Sequence, residues 1–270
     1  MRIGVPEEPR PTTRPRVMTT MRLMTLRLMT WNVHGGIGPD RRFDLGRVRD
    51  LIARHRPDVF ALQELDTRGR GPECLTPLRA LAGEEGYLAQ ARTIVTPDGD
   101  YGHALFSRWP LTDIAVHDVS QGRREPRSAV EARFTVEGLS CHIVAVHLGL
   151  GIGERWKQAR RLVEIAAAGR PADLRVMMGD FNDWFPWRPV RRSLAHAFPE
   201  RTRLRTFPAR RPILRLDRIY STAPVLAAWT DTAARACSDH LPVIADIDIA
   251  APGNAALDVS APVGGGTFRA

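Results

Sequence analysis

Cysteine is scarce in this chain of 270 residues. Its three cysteines, Cys74, Cys141 and Cys237, form no C-x-x-C pair and leave an odd one over, so the sequence indicates neither a disulfide framework nor a thiolate zinc site. We therefore predict a reducing, cytoplasmic setting. The sequence also lacks an apolar run of the about 20 residues that a membrane-spanning helix needs, so we predict no transmembrane segment.

Several nucleotide-binding and hydrolase motifs are missing as well. No G-x-x-x-x-G-K-[ST] segment is present, which excludes a P-loop, and no G-x-S-x-G elbow supports a serine hydrolase built on Ser238 and His240. The run 149–153 is rich in glycine, but Glu154 stands where the dinucleotide-binding fingerprint needs its third glycine. The sequence therefore favours none of these three site types.

Positive charge is what the composition does supply. Lysine and arginine number 39 against 30 aspartates and glutamates, which gives a net charge of +9 and an isoelectric point near 10.7. Such a field attracts polyanions, although an arginine-rich composition without a particular partner explains the charge equally well. We predict one folded domain at 26–249, a disordered N-terminal extension at 1–25 and a flexible C-terminal tail at 250–270.

Short apolar runs alternate with helical patterns along that domain. A strand is predicted from Leu26 to Trp31, and a helix capped by Asp44 is predicted to end before Pro57. Further strands are predicted at 59–62, 104–106, 129–136, 141–147, 175–178, 218–220 and 243–249, and further helices at 74–82, 154–168 and 187–195. This mixture predicts a layered α/β protein.

Polar side chains gather where several of these strands end. Buried carboxylates and imidazoles must be paired or bind a metal, so such positions are candidates for a site. Carboxylate and amide oxygens suit Mg²⁺ or Mn²⁺, which indicates metal-assisted hydrolysis. Each segment alone also has a structural explanation, for example a turn shaped by Asn32 or a core histidine at His147. The segments are Trp31–His34, Gln63–Asp66, Val146–Leu148, Gly179–Asp183 and Ser238–His240.

Taken in this order, the segments resemble the endonuclease/exonuclease/phosphatase superfamily, which includes DNase I-like nucleases and phosphatases. The resemblance covers about residues 26–249, and its most specific parts are Gly179–Asn182 and Ser238–Pro242. It implies a four-layered α/β sandwich, in which two mostly antiparallel sheets pack face to face with helices outside. It also implies a Mg²⁺ or Mn²⁺ cofactor.

The resemblance further implies a metal site and a group that activates water. Glu64 would be the principal metal ligand, with Asn32 and Asp239 as further ligands or as partners of metal-bound water. Asp180 would orient and deprotonate the attacking water, assisted by Asn182.

A third set of residues would contact the substrate phosphate. His240 would stabilise the charge that develops on it, and Asp217 would hold that imidazole and raise its pKa. His147 would touch the phosphate, and Arg127 would bind it or support the site. One departure from the abasic-site endonucleases is His34, which weakens a repair-nuclease assignment.

These roles predict a phosphoester hydrolase, and above all a phosphodiesterase that acts by direct attack of water on phosphorus. A DNA endonuclease or exonuclease is the first alternative. The second is a non-catalytic nucleic-acid-binding module, suggested by the basic segments Arg123-Arg124, 188–192 and 201–218 and by Trp184, Phe185 and Trp187. The expected partner is a phosphate ester, for example nucleic acid or a phospholipid head group, and nucleotides and inositol phosphates stay open as substrates. The sequence gives no evidence for a protein partner.

Overall fold

Residues 24–83, 85–168, 170–184 and 189–250 are described by a computed structural model. The predicted N-terminal extension and C-terminal tail therefore lie outside the described residues, apart from the few residues next to the domain. Phe185 and Trp187 lie outside them too.

The described residues form twelve strands and four α-helices, joined by turns and short 3₁₀ segments. The strands are β1 (Thr25–Asn32), β2 (Val59–Asp66), β3 (Tyr87–Thr96), β4 (Gly99–Ser107), β5 (Thr112–Asp118), β6 (Ser128–Val136), β7 (Leu139–His147), β8 (Leu174–Asp180), β9 (Glu200–Arg201), β10 (Asp217–Ser221), β11 (Val225–Trp229) and β12 (Val243–Asp248). The helices are α1 (Leu45–His55), α2 (Thr76–Arg79), α3 (Ile152–Ala167) and α4 (Pro189–Leu194). None of these helices is both long and apolar enough to cross a membrane.

Two six-stranded sheets are built on the same plan. The first has the order β11-β12-β1-β2-β4-β3 and the second the order β5-β6-β7-β8-β10-β9. Each contains one parallel pair at its centre, β1 with β2 and β7 with β8, while every other pair is antiparallel. A parallel pair needs a crossover connection, which α1 supplies in the first sheet and α3 in the second.

Helix α1 shows how local chemistry sets these boundaries. The Asp44 carboxylate accepts hydrogen bonds from the backbone N–H groups of Gly46 (2.8 Å) and Arg47 (3.3 Å), which contributes about 1 kcal/mol to helix stability. The helix ends at His55, and the left-handed backbone of Arg56 (φ 47°) turns the chain before Pro57. The predicted cap and end of this helix are confirmed.

Three apolar clusters give the protein four layers. The central one packs the facing sides of the two sheets together, with Leu28 and Leu105 from one sheet and Ile143 and Met178 from the other. A second cluster lies between the first sheet and α1, and a third lies between the second sheet and α3. The predicted sandwich of two mostly antiparallel sheets flanked by helices is therefore confirmed.

The sequence-based prediction missed four strands, β3, β5, β9 and β11, and each lies at the edge of a sheet. Edge strands pair on one side only, and the burial patterns of these four are broken by exposed or half-exposed residues. No long apolar run marks β3, β5 or β9, whereas β11 is an apolar run of five residues that the prediction missed. The predicted helix at 74–82 is divided into a 3₁₀ turn at Pro72–Leu75, the short α2 and a second 3₁₀ turn at Ala80–Ala82.

Candidate active site

The carboxyl ends of both parallel strand pairs meet at one end of the sandwich. β1 ends at Asn32 and lies beside β2, which carries Glu64. In the second sheet, His147, Asp180 and Asp217 are direct neighbours across β7, β8 and β10. Strand register therefore brings to one place side chains that are far apart in the sequence.

Asp180 lies at the centre of this arrangement and is 1% exposed. Its Oδ2 accepts a hydrogen bond from Asn32 Nδ2 (3.2 Å), and its Oδ1 accepts one from the backbone N–H of Asn182 (2.9 Å). Burial, together with the charge of Asp217, raises the pKa of Asp180 to about 6. A carboxylate with a raised pKa is suited to take a proton from water near neutral pH.

His240 and Asp217 form a buried pair beside Asp180. The imidazole Nδ1 lies 2.9 Å from Asp217 Oδ2, and Nε2 points toward Asp180 Oδ2 at 4.0 Å. Burial opposes the charged imidazole, but the charge and hydrogen bond of Asp217 outweigh it and raise the pKa of His240 to about 10. At neutral pH the site therefore contains an imidazolium that directs an N–H toward Asp180.

The loop that carries His240 is hydrogen-bonded to β1. The Trp31 indole donates to the His240 carbonyl (2.9 Å), and the Ser238 hydroxyl donates to the Asn32 carbonyl (2.7 Å). These bonds join the loop to the strand that ends in the site, so the position of His240 follows from the packing of the first sheet.

Glu64 reaches the site because β2 bulges between Leu62 and Leu65. Its backbone is left-handed (φ 56°), and its Oε1 accepts a hydrogen bond from Asn32 Nδ2 (2.8 Å). Burial opposes ionisation, but His34, His147 and Asn32 together lower the pKa of Glu64 to about 2. Glu64 is therefore a carboxylate at every physiological pH.

His34 lies between the two carboxylates of the predicted metal site. Its Nδ1 is 3.6 Å from Glu64 Oε2 and 3.5 Å from Asp239 Oδ1, and the hydrogen bond to Glu64 contributes most to its raised pKa. The Asn32 amide oxygen accepts the backbone N–H of His34 (3.0 Å), so both ends of that amide are engaged.

His147 and Arg127 form a second buried pair, which lies across Asp180 from His240. The guanidinium Nη1 lies 3.1 Å from His147 Nδ1, and Glu125 holds the same guanidinium through both carboxylate oxygens. Burial, followed by the positive charge of Arg127, lowers the pKa of His147 well below its usual value. His147 Nε2 lies 3.8 Å from both Glu64 Oε1 and Asp180 Oδ2.

Two groups of side chains could hold a divalent cation. Glu64 and the half-exposed Asp239 offer hard oxygen donors that face solvent, which fits an ion that keeps several waters. Asp180, Asp217 and His240 offer ligand atoms within 4.8 Å of one another, and theirs is the one such cluster of three in the described part of the chain. Because the imidazole of that cluster is charged and bonded to Asp217, the first pair fits a cation better.

Contacts of 4.0 Å or less therefore join every predicted site residue into one network. It comprises Asn32, Glu64, Arg127, His147, Asp180, Asn182, Asp217, Asp239 and His240, with His34 as the link to Asp239.

The sequence-based prediction missed two residues of β4 that line this network. Burial and then the charges of Glu64 and Glu125 raise the pKa of Tyr101, which keeps its hydroxyl protonated beside the site. His103 is buried behind His147, and burial lowers its pKa to about 4, so it is neutral. Their spacing of two, which places both on one face of a strand, is the signal that could have identified them.

Comparison with known proteins agrees with this geometry. The model of the endonuclease/exonuclease/phosphatase family matches residues 29–240. The uncharacterized protein YbhP of Escherichia coli strain K12 is 30% identical over 259 residues, which cover 83% of this chain and 97% of YbhP.

Solved structures show the same fold. An endonuclease/exonuclease/phosphatase from Beutenbergia cavernae is 23% identical, with a TM-score of 0.67 over 84% of this chain and 72% of that one. A humanized Danio rerio TDP2 is 20% identical, with a TM-score of 0.62 over 83% of this chain and 99% of that one. The family model spans most of the chain, and the chain therefore belongs to the endonuclease/exonuclease/phosphatase family.

Proposed function

We propose that this protein is a Mg²⁺- or Mn²⁺-dependent phosphodiesterase that cleaves its substrate by direct attack of water on phosphorus. Family membership supports a phosphoester hydrolase in general. The observation that carries the finer proposal is the position of Asp180. This buried carboxylate has a raised pKa and lies between the charged imidazole of His240 and the neutral imidazole of His147.

In this proposal Asp180 orients the attacking water and takes its proton. The Asn182 N–H and the Asn32 amide hold the carboxylate oxygens in place, so the accepting oxygen does not need to reorient during the reaction. Near neutral pH, a carboxylate with a pKa of about 6 is largely ionised and still basic enough to accept the proton.

The imidazolium of His240 binds a non-bridging oxygen of the scissile phosphate and stabilises the negative charge that develops there. Asp217 keeps the ring charged and fixes its orientation. His147 is neutral and donates from Nε2 to the same phosphate, because Arg127 occupies its Nδ1.

Glu64 and Asp239 would hold the cation, with Asn32 positioning the Glu64 carboxylate through Nδ2. A divalent cation at these carboxylates supplies charge neutralisation for the phosphodiester and for the oxygen that leaves. The carboxylate of Glu64 is ready for this role because its pKa is lowered to about 2.

Hydrolysis of bis-p-nitrophenyl phosphate, assayed with Mn²⁺ and after chelation by EDTA, tests the proposal. We expect activity that EDTA removes and added Mn²⁺ restores, and that Asp180→Ala and His240→Ala abolish. Activity that survives chelation, or survives either substitution in purified protein, would contradict the mechanism.

A DNA nuclease is the alternative that the net charge of +9 favours. A parallel assay of abasic duplex DNA, supercoiled plasmid, sphingomyelin, phosphatidylglycerol and inositol phosphates separates the two. Cleavage of DNA with a steep dependence on salt concentration would support the nuclease, because phosphate contacts release counterions. Binding without cleavage of any of these would support a non-catalytic module.

A further inference from the structure

A cleft of about 730 Å³ opens directly from the predicted metal site. Its lining includes His34 and Asp239 of the active site and three arginines, Arg210, Arg211 and Arg235. None of the roles derived so far uses these arginines.

The arginines lie on a hairpin and a turn that are fixed to the catalytic loop. The hairpin at 207–214 closes through hydrogen bonds from the N–H groups of Ile213 and Leu214 to the Phe207 carbonyl. Its Ala209 N–H donates to the Asp239 carbonyl at 2.6 Å. The Phe207 ring lies 4.8 Å from the ring of His240, so the hairpin packs against the catalytic imidazole.

Arg235 closes the other side of the cleft. Its Nε donates to the Ala209 carbonyl at 2.9 Å, which holds this guanidinium against the hairpin. Arg210 and Arg211 are exposed, and neither side chain makes a hydrogen bond or ion pair with any residue that the structure describes. Two free guanidinium groups and one anchored one thus surround the cleft beside a predicted cation site.

The charged and aromatic residues of the lining indicate which chemical class of ligand the cleft binds. Asp239 is the one acidic residue among the described residues that line the cleft, and a cation bound there would neutralise it. Guanidinium groups stay charged at all relevant pH values and bind phosphate oxygens through paired N–H donors. The described lining contains no phenylalanine, tyrosine or tryptophan on which a base could stack, and its one imidazole, His34, lies against Glu64 and Asp239. An anionic group therefore fits the cleft better than a nucleobase.

We propose that the arginine cleft binds a second phosphate group of the substrate, next to the phosphodiester that is cleaved. This inference rests on the proposed phosphodiesterase function and narrows its substrates to phosphodiesters that carry a further phosphate.

Two chromogenic substrates that differ by one phosphate test the inference. These are thymidine 5′-(p-nitrophenyl phosphate) and the same compound with a 3′-phosphate. We expect the 3′-phosphate to lower the KM of the wild-type enzyme by about tenfold or more. The double variant Arg210→Ala/Arg211→Ala should lose this preference and retain its kcat on the substrate without the 3′-phosphate.

The matched control is Arg160→Ala/Arg161→Ala, which removes the same charge from two exposed neighbours on α3. It should keep the preference, since these residues do not line the cleft. Equal KM values for the two substrates in the wild type, or a preference that the Arg210→Ala/Arg211→Ala variant retains, would overturn the inference.

A third substrate, in which the 3′-phosphate continues into another nucleoside, identifies the source of that phosphate. A KM as low as that for the terminal phosphate supports a phosphate within a nucleic-acid strand, and a higher KM supports a small phosphorylated molecule. If none of the substrates is hydrolysed, the proposed phosphodiesterase function is contradicted, but the binding of phosphate in the arginine cleft is still open to a test. Calorimetric binding of inorganic pyrophosphate then decides the inference, because only a true subsite weakens about tenfold in Arg210→Ala/Arg211→Ala and not in the control.

Discussion

The guanidinium of Arg127 donates a hydrogen bond to Nδ1 of His147 over 3.1 Å. Arginine has no acceptor, so Nδ1 must carry the lone pair and the ring proton must reside on Nε2. That proton points toward Glu64 and Asp180, where a substrate phosphate would bind. Arg127 is thus a positioning residue that sets the tautomer of a neighbouring imidazole.

Removal of the Arg127 guanidinium should change both the tautomer of the His147 ring and the rate of hydrolysis. In Arg127→Ala the pKa of His147 rises, because a positive neighbour is lost, and the fixed Nε2–H tautomer is replaced by a mixture. We expect kcat/KM to fall by about 10- to 100-fold, as for other groups that orient an active-site histidine. Nitrogen-15 NMR of the His147 ring measures the tautomer directly. Arg124→Ala, which removes an exposed arginine that pairs with Glu154, should leave the spectrum of His147 unchanged.

Asp180→Asn should remove the general base and leave the fold intact. We expect a loss of about 10²- to 10⁴-fold in kcat, with a melting temperature close to that of the wild type. Asp183→Asn is the matched control: this buried carboxylate lies three residues along and accepts the backbone N–H of Arg191 (3.2 Å). A comparable loss of kcat in both variants would contradict the role of Asp180.

The dependence of kcat/KM on pH should report the pair formed by Asp217 and His240. In the wild type, activity should rise through about pH 6 as Asp180 ionises, and it should persist until His240 deprotonates near pH 10. In Asp217→Asn both pKa values fall, because the carboxylate that raises them is gone. Both limbs of the profile should therefore move to lower pH, and an unchanged alkaline limb would refute the pairing.

Stability without metal should also depend on His240. Its folded pKa of about 10 lies above the pKa of about 6.5 that a histidine has in an unfolded chain, so the stability that His240 contributes is fully present below about pH 6.5. That contribution is lost as the pH rises through about 10. Thermal unfolding between about pH 7 and about pH 10 should show a falling melting temperature in the wild type. The slope should be smaller in His240→Asn.

Protonated His34 should compete with a divalent cation for Glu64 and Asp239. Because its pKa is raised in the protein without metal, binding of a cation should expel a proton, and affinity should be lower at pH 6 than at about pH 8. In His34→Gln this pH dependence should largely disappear. Isothermal titration with Mn²⁺ in buffers of different ionisation enthalpy measures both the affinity and the proton released. An identical proton release in wild type and variant would exclude this competition.

The sequence was sufficient to predict the central strands of each sheet and the site residues at their ends. β1 alternates apolar and polar residues, β7 contains the apolar run Ile143–Val146, and both strands end in a polar residue, so both their position and their functional end could be predicted. The edge strand β3 could not be, because half-exposed residues interrupt its pattern.

The finer geometry of the site depends on contacts that no local pattern encodes. The bulge that turns Glu64 into the site arises from pairing with β4, and the bridge that His34 makes to Asp239 joins positions more than two hundred residues apart. The position of Tyr101 beside Glu64 of β2 and Arg127 of the loop before β6 also depends on contacts between distant segments, and only its spacing of two from His103 marks it in the sequence.

His34, Glu64 and Asn182 share a left-handed backbone, with φ values of 50°, 56° and 48°. Residues with a side chain adopt this region at a cost of about 1 kcal/mol each relative to glycine. Directed evolution for heat resistance alone would therefore be expected to replace these residues with glycine. The selected variants would be more stable but would lack the side chains of the proposed active site. Thermostabilised variants of this protein should therefore be selected for the proposed activity and for heat tolerance together.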